Sequence, residues 1–106
     1  MKLFDILSKC KTSFKIVNEK NLDIRNVTIN SKNVRNNYLF CALKGQNFNG
    51  QDFIKSILSN KDIAILTTNS KNGFENISSE TKKGIPVIVS QNIKRLLGEI
   101  CSQLYP

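Results

Sequence analysis

Three short apolar runs constrain the fold of this chain more than any other feature: YLFCAL (38–43), DIAILTT (62–68) and IPVIV (85–89). None alternates apolar with polar residues, so each reads as a strand covered on both faces. Around them, apolar residues recur at helical spacing. Leu3, Ile6, Leu7 and Cys10 stand at i, i+3, i+4 and i+7, the stripe of a short amphipathic helix. From Gln51, Phe53, Ile54, Ile57 and Leu58 share one side of a second helix, with Asp52 near its positive N-terminal end. Ile93, Leu96, Leu97, Ile100, Cys101 and Leu104 form a third stripe, which Ser90 or Asn92 can cap. FKIV (14–17) and DIRNVTIN (23–30) read as short strands of mixed alternation. The polar stretch 69–84 reads as a long surface loop, and Pro86 suits a strand end.

Strands alternating with helices predict an α/β fold: one small domain over residues 1–106, with a mixed or mainly parallel sheet flanked by helices. The sheet should include the segments 63–67 and 86–89. The helices from Gln51 and Asn92 should pack on it through Phe53 and Ile57, and through Leu96 and Ile100. A chain of 106 residues supports one core and leaves little room for another. Its 40% apolar and 23% charged residues place it among globular rather than disordered chains.

Composition also narrows the function. Sixteen basic residues against eight acidic ones give a net charge of +8, which favours an anionic partner: nucleic acid, phosphate or a membrane surface. Part of this excess fits a general Lys-, Asn- and Ile-rich bias. The three cysteines, Cys10, Cys41 and Cys101, are far apart and set among apolar neighbours. That spacing suits buried free thiols rather than disulfides or zinc ligands. No apolar run approaches the ~18 residues of a membrane span. Asp5, Lys9 and Lys11 interrupt any apolar core near the N-terminus, so a cytoplasmic location is expected.

There is no histidine, which excludes Ser-His and Cys-His nucleophilic pairs and His-ligated metals. The carboxylates are scattered singly, and neither a G-x-x-x-x-G-K-[ST] loop nor a G-x-G-x-x-G after a strand is present. No catalytic or metal-ligating residue is therefore expected. The chain reads as a binding domain.

The stretch INSKNVRNNYLFCALKGQNFNGQDFI (29–54) suggests what is bound. Between Ile24 and Gln51 there is no acidic residue, while Arg25, Lys32, Arg35 and Lys44 are basic. A serine at a strand end and a loop bracketed by Gly45 and Gly50, ahead of a helix N-terminus, suit a phosphorylated ligand. Hydroxyl and backbone N–H groups would donate to it, and the helix end adds partial positive charge. The plainer reading is that Ser31 caps a turn and the loop is only a loop.

In order and spacing, this stretch resembles the N-terminal domain of the Mur ligases. In that family a strand ends in D-S-R, a P-G turn leads into L-F-x-A-x-x-G, and D-G-H-x-F-I opens a helix. Here Asn30-Ser31-Lys32 stands at the triplet and Asn36-Asn37 at the turn. Leu39 to Gly45 matches the middle motif, and Asn49-Gly50-Gln51-Asp52-Phe53-Ile54 the helix start. The departures are Asp to Asn at 30 and 49, Arg to Lys at 32, His to Gln at 51, and Asn-Asn for Pro-Gly. Arg to Lys loses a bidentate fork, whereas Asn tolerates the positive φ that a turn glycine supplies. The aromatic-proline ending, Tyr105-Pro106, resembles the point where the muramyl-tripeptide synthetase branch (MurE type) passes into its ATP-binding domain.

The resemblance implies a domain that holds the UDP end of a UDP-N-acetylmuramoyl-dipeptide for an ATP-dependent amino-acid ligase of peptidoglycan precursor synthesis. The whole enzyme forms an acyl-phosphate on the peptide carboxylate, which an amine then attacks. ATP and Mg2+ are implied for the full-length enzyme and no cofactor for this chain, whose ATP-binding and C-terminal domains are absent. Alone it should be inactive. By position, the substrate contacts fall on Ile29, Ser31, Gln46, Asn47 and Phe48. Ser31 would donate its hydroxyl, Ile29 would offer backbone or a packing surface, and the loop would wrap the nucleotide. Phe48 either packs on the uracil or belongs to the core; Lys32 and Lys44 either screen the diphosphate or stand solvated. The implied partners are the UDP-N-acetylmuramoyl-peptide and, if the chain is a truncated piece, the rest of the ligase; no membrane partner is implied. An alternative within the family is the N-terminal domain of the D-Ala-D-Ala-adding ligase. An alternative outside it is a small basic nucleic-acid-binding module. That reading is disfavoured because Phe40 and Phe53 read as core rather than as a stacking platform.

Overall fold

The computed structural model describes residues 1–42, 62–68 and 84–106. The expected helix from Gln51, the Gly45–Gly50 loop and residues 69–83 of the expected surface loop lie outside them. In chain order the described elements are α1 (Leu3–Ser8), β1 (Lys15–Val17), β2 (Asn26–Thr28), a 3-10 turn (Ser31–Asn33), β3 (Tyr38–Cys41), β4 (Ile63–Thr67), β5 (Val87–Val89) and α2 (Ile93–Leu104). The five strands form one sheet in the order β1-β5-β4-β3-β2. β2, β3, β4 and β5 run parallel, and β1 pairs antiparallel with β5. This is the small α/β domain with a mixed, mainly parallel sheet that the apolar runs predict.

Register explains why those runs do not alternate. Leu39 pairs with Ala64, Cys41 with Leu66, and Leu66 with Ile88. This row meets Leu3, Ile6 and Leu7 of α1 and Ile93, Leu96 and Ile100 of α2 in one core. The intervening residues Phe40, Ile63, Ile65 and Val87 gather with Val34, Ala42 and Ile85 in a second core on the opposite face. Both pleat faces are buried, so both must be apolar. Each fully buried Leu or Ile side chain contributes about 1.5–3 kcal/mol relative to exposure. Pro86 lies just before β5, where its missing N–H costs nothing to the ladder, and its carbonyl accepts from Ile65 N at 3.0 Å.

The helices are tied down by polar contacts at their ends. Leu3 N donates to Leu22 O and Ile24 N to Met1 O, each at 2.7 Å, which fixes the start of α1 against the segment before β2. Gln103 Nε2 on α2 donates to Ile6 O of α1 at 2.9 Å. Glu99 accepts the backbone N–H groups of Lys11 (2.9 Å) and Thr12 (3.0 Å), capturing the segment that leads into β1. Its carboxyl is held below the usual range, first by the facing Thr12 hydroxyl and then by these backbone donors. Thr12 Oγ1 itself makes no aligned hydrogen bond, so the backbone N–H groups are the contacts that geometry supports.

Of the two candidate caps for α2, neither bonds a first-turn amide of the helix; Ser90 instead braces the turn just before it. Asn92 makes no side-chain cap bond. Ser90 Oγ accepts from Asn92 N at 3.2 Å and donates to Ser13 O at 2.9 Å.

Candidate functional site

Parallel neighbours place all their carboxyl ends on one edge of the sheet, where open α/β folds bind ligands. Here that edge receives Ile29, Asn30 and the 3-10 turn after β2, Ala42 after β3, Thr68 after β4 and Ser90 after β5.

The turn after β2 is built by local hydrogen bonds. Thr28 Oγ1 accepts from Asn30 N at 3.1 Å, and Asn30 O accepts from Asn33 N at 3.0 Å. Asn30 Oδ1 accepts from Lys32 N at 3.0 Å, so Asn30 caps the turn that Ser31 begins. A cap needs only an oxygen acceptor, which asparagine supplies as well as aspartate. The Asp-to-Asn departure at position 30 therefore keeps the turn's geometry. Ile29, beside it, is 47% exposed. Lys32 is exposed too.

The Asn36-Asn37 turn sits at the opposite, amino-terminal edge. Asn37 has φ 67°, the left-handed conformation that the family's glycine would adopt. Its Nδ2 donates to Asp23 O at 2.8 Å, and Asn36 Oδ1 accepts from Asp62 N at 3.3 Å. The two asparagines thus replace backbone freedom with side-chain bonding.

The acid-free stretch does not converge as a single basic patch. Arg25 lies at the amino-terminal edge, with Nε 3.7 Å from Asp23 Oδ2. The Met1 ammonium, at 3.0 Å, is the foremost cause that lowers the Asp23 carboxyl, and Arg25 adds to it. Arg35 spends its guanidinium on the carbonyls of Val34 (3.0 Å) and Lys32 (3.4 Å), bracing the crossover from β2 to β3. Of the four basic residues in that stretch, Lys32 is the one described at the carboxyl edge; Lys44 lies outside the described residues.

The structure thus brings Ile29 and the Ser31 backbone together at the carboxyl edge, and the chain leaving β3 at the same edge leads in sequence toward Gln46, Asn47 and Phe48. Those three lie outside the described residues. Sequence reasoning missed Asn30 as a cap, although an asparagine two residues ahead of a free N–H is a known turn signal. A separate apolar groove of about 280 Å³, lined by Phe4, Leu7, Ser8, Phe14, Ile16 and Glu19, lies toward β1 at the far side of the sheet and shares no residue with this edge.

Cys41 is buried, and Cys10 and Cys101 are half-buried; all three are free thiols. Burial raises each, pushing Cys41 up to about 12 with a smaller contribution from Cys101. These are packing residues rather than nucleophiles. Among the described residues no group of three or more acidic, cysteine or histidine side chains could hold a metal, and no helix is long and apolar enough to cross a membrane.

Residues 23–105 match the family described as "Mur ligase family, catalytic domain". The UDP-N-acetylmuramoyl-L-alanyl-D-glutamate--2,6-diaminopimelate ligase 2 of Clostridium acetobutylicum is 31% identical over 85 residues, which cover 80% of this chain and 16% of that protein. The corresponding ligase of Rickettsia typhi is 45% identical over 53 residues, 50% of this chain and 11% of the relative. That of Aquifex aeolicus is 28% identical over 82 residues, 77% of this chain and 15% of the relative. The chain therefore spans a small part of the length of these relatives. The matched region runs from Asp23 to Tyr105, and it takes in β2 to β5, the Asn30-capped turn, α2 and the second core, but not α1 or β1. By this match the chain belongs to the Mur ligase family.

Proposed function

We propose that this chain is the substrate-binding N-terminal domain of an ATP-dependent ligase of peptidoglycan precursor synthesis, and that its carboxyl edge holds the nucleotide end of a UDP-N-acetylmuramoyl-peptide. The observation that carries this reading is the turn after β2. It stands at the family's triplet position and keeps the capping acceptor through an Asp-to-Asn change. It also sits where open parallel sheets take ligands. Ile29 offers an exposed apolar surface next to it, suited to a planar base or sugar. In this reading Ser31 donates its hydroxyl, and Gln46, Asn47 and Phe48 close over the nucleotide. The named relatives add 2,6-diaminopimelate to UDP-N-acetylmuramoyl-L-alanyl-D-glutamate, which makes that nucleotide-linked dipeptide the preferred candidate ligand here.

ATP and Mg2+ belong, in this reading, to parts of the ligase beyond this chain. The residues present support binding and orientation rather than bond-making: there is no histidine, and the thiols are raised by burial.

Calorimetric titration of the chain with the UDP-linked dipeptide tests the proposal. A hydrogen bond to a charged phosphate oxygen is worth about 1.5–3 kcal/mol, so Ser31→Ala should weaken binding about ten- to a hundredfold. Equal affinity of wild type and variant would remove Ser31 from the site.

A further inference from the structure

We propose that Tyr105 is a positioning residue for the Ile29–Ser31 turn: its hydroxyl latches the end of α2 onto β2, and that latch sets how the turn is presented. The inference rests on the binding reading above for its consequence, and on hydrogen bonds for its geometry.

Among the described residues β2 is an edge strand, paired with β3 on one side. An edge strand leaves backbone groups to find other partners. Val27 N is shared between Asn26 Oδ1 and Tyr105 Oη, each at 3.0 Å, the second across 78 residues of sequence. Tyr105 Oη also hydrogen-bonds Asn26 Oδ1. The same asparagine donates through Nδ2 to Tyr38 Oη of β3 at 3.3 Å. Tyr105 is itself fixed, since its backbone N–H donates to Cys101 O at 2.8 Å as the cap of α2.

From this latch a run of bonded residues leads directly into the turn. Val27 is followed by Thr28, whose Oγ1 takes the Asn30 N–H. Asn30 in turn caps the residues Ser31–Asn33. Two residues separate the latched amide from Asn30, and a three-residue edge strand has little stiffness of its own. Tyr105 is 51% exposed, so the ring is not needed to fill a core. Its hydroxyl, facing the edge strand, is what the arrangement uses. Proximity along a chain is not coupling, so the test must read the turn itself.

Tyr105→Phe deletes the hydroxyl and keeps the ring. In 15N-labelled protein without ligand, the amides of Asn30 to Asn33 should shift along with Val27, and their hydrogen exchange should quicken. Affinity for UDP should then fall about three- to tenfold, the equivalent of one ordinary hydrogen bond. Glu99→Gln serves as the comparison. It loosens the captured Lys11–Thr12 segment at the other side of α2, and should lower the melting temperature without moving UDP affinity. If Tyr105→Phe perturbs Asn26 and Val27 alone, or behaves like Glu99→Gln toward UDP, the latch is merely structural and the proposal is wrong. If wild-type protein does not bind UDP at all, the binding reading fails, while the ligand-free amide shifts still decide whether Tyr105 positions the turn.

Discussion

Replacing Asn30 separates what the turn needs from what the family's usual residue supplies. The side-chain oxygen accepts the Lys32 N–H at 3.0 Å in an exposed setting. Loss of a capping acceptor costs about 0.5–2 kcal/mol. Water can reach the freed amide here, so the low end applies, about 0.5–1 kcal/mol. For a domain near 100 residues, 1 kcal/mol corresponds to roughly 4–8 °C in melting temperature, so Asn30→Ala should melt about 2–8 °C lower than wild type. Asn30→Asp restores the carboxylate oxygen of the family's triplet and should stay within about 0.5 kcal/mol of wild type. Thermal unfolding of the three proteins, followed by circular dichroism at pH 7, measures the contrast. Asn30→Ala as stable as wild type, or Asn30→Asp as damaging as alanine, would refute the capping argument. The claim that the departure at position 30 is structurally neutral would go with it.

Three further outcomes follow from the packing. Ser90 is buried and both donates to Ser13 O and serves as acceptor for Asn92 N; Ser90→Ala should cost about 1–3 kcal/mol in chemical denaturation. Asn37, at φ 67°, should tolerate glycine better than valine; Asn37→Val should lose about 1–3 kcal/mol by the same assay through backbone strain. The Cys41 thiol is raised by burial to about 12, so the folded state keeps its proton where the unfolded chain, near pH 8.5, begins to release it. That contribution to stability is complete below about pH 8.5 and declines as pH rises toward 12. Denaturation midpoints should fall over that range, and Cys41→Ala should flatten the fall. A wild-type protein whose alkaline profile is unaffected by the substitution would exclude this cause.

The sheet was legible because burial on both faces forces a recognisable composition. YLFCAL, DIAILTT and IPVIV mark β3, β4 and β5 to within two residues at most ends. Edge strands were less legible: DIRNVTIN shrinks to Asn26–Thr28, because Asp23 and Ile24 instead meet the N-terminal segment. The stripe ending at Cys10 outruns α1, which stops at Ser8; Cys10 keeps its inward place through a turn closed by its N–H on Leu7 O at 3.1 Å. Around the candidate site, basic residues close in sequence do not gather in space. Arg25 and Lys32 are seven positions apart and stand at opposite edges, because a strand runs between them. The Tyr105 latch had no local signal, since its partners are 78 and 79 residues away.

Titration of UDP into the 15N-labelled chain tests the central claim most directly. The account predicts saturable shifts clustered at Ile29, Ser31 and Gln46 to Phe48, and their loss in Ser31→Ala. Shifts at those residues with a short oligonucleotide but none with UDP would contradict it and favour a basic nucleic-acid-binding surface instead.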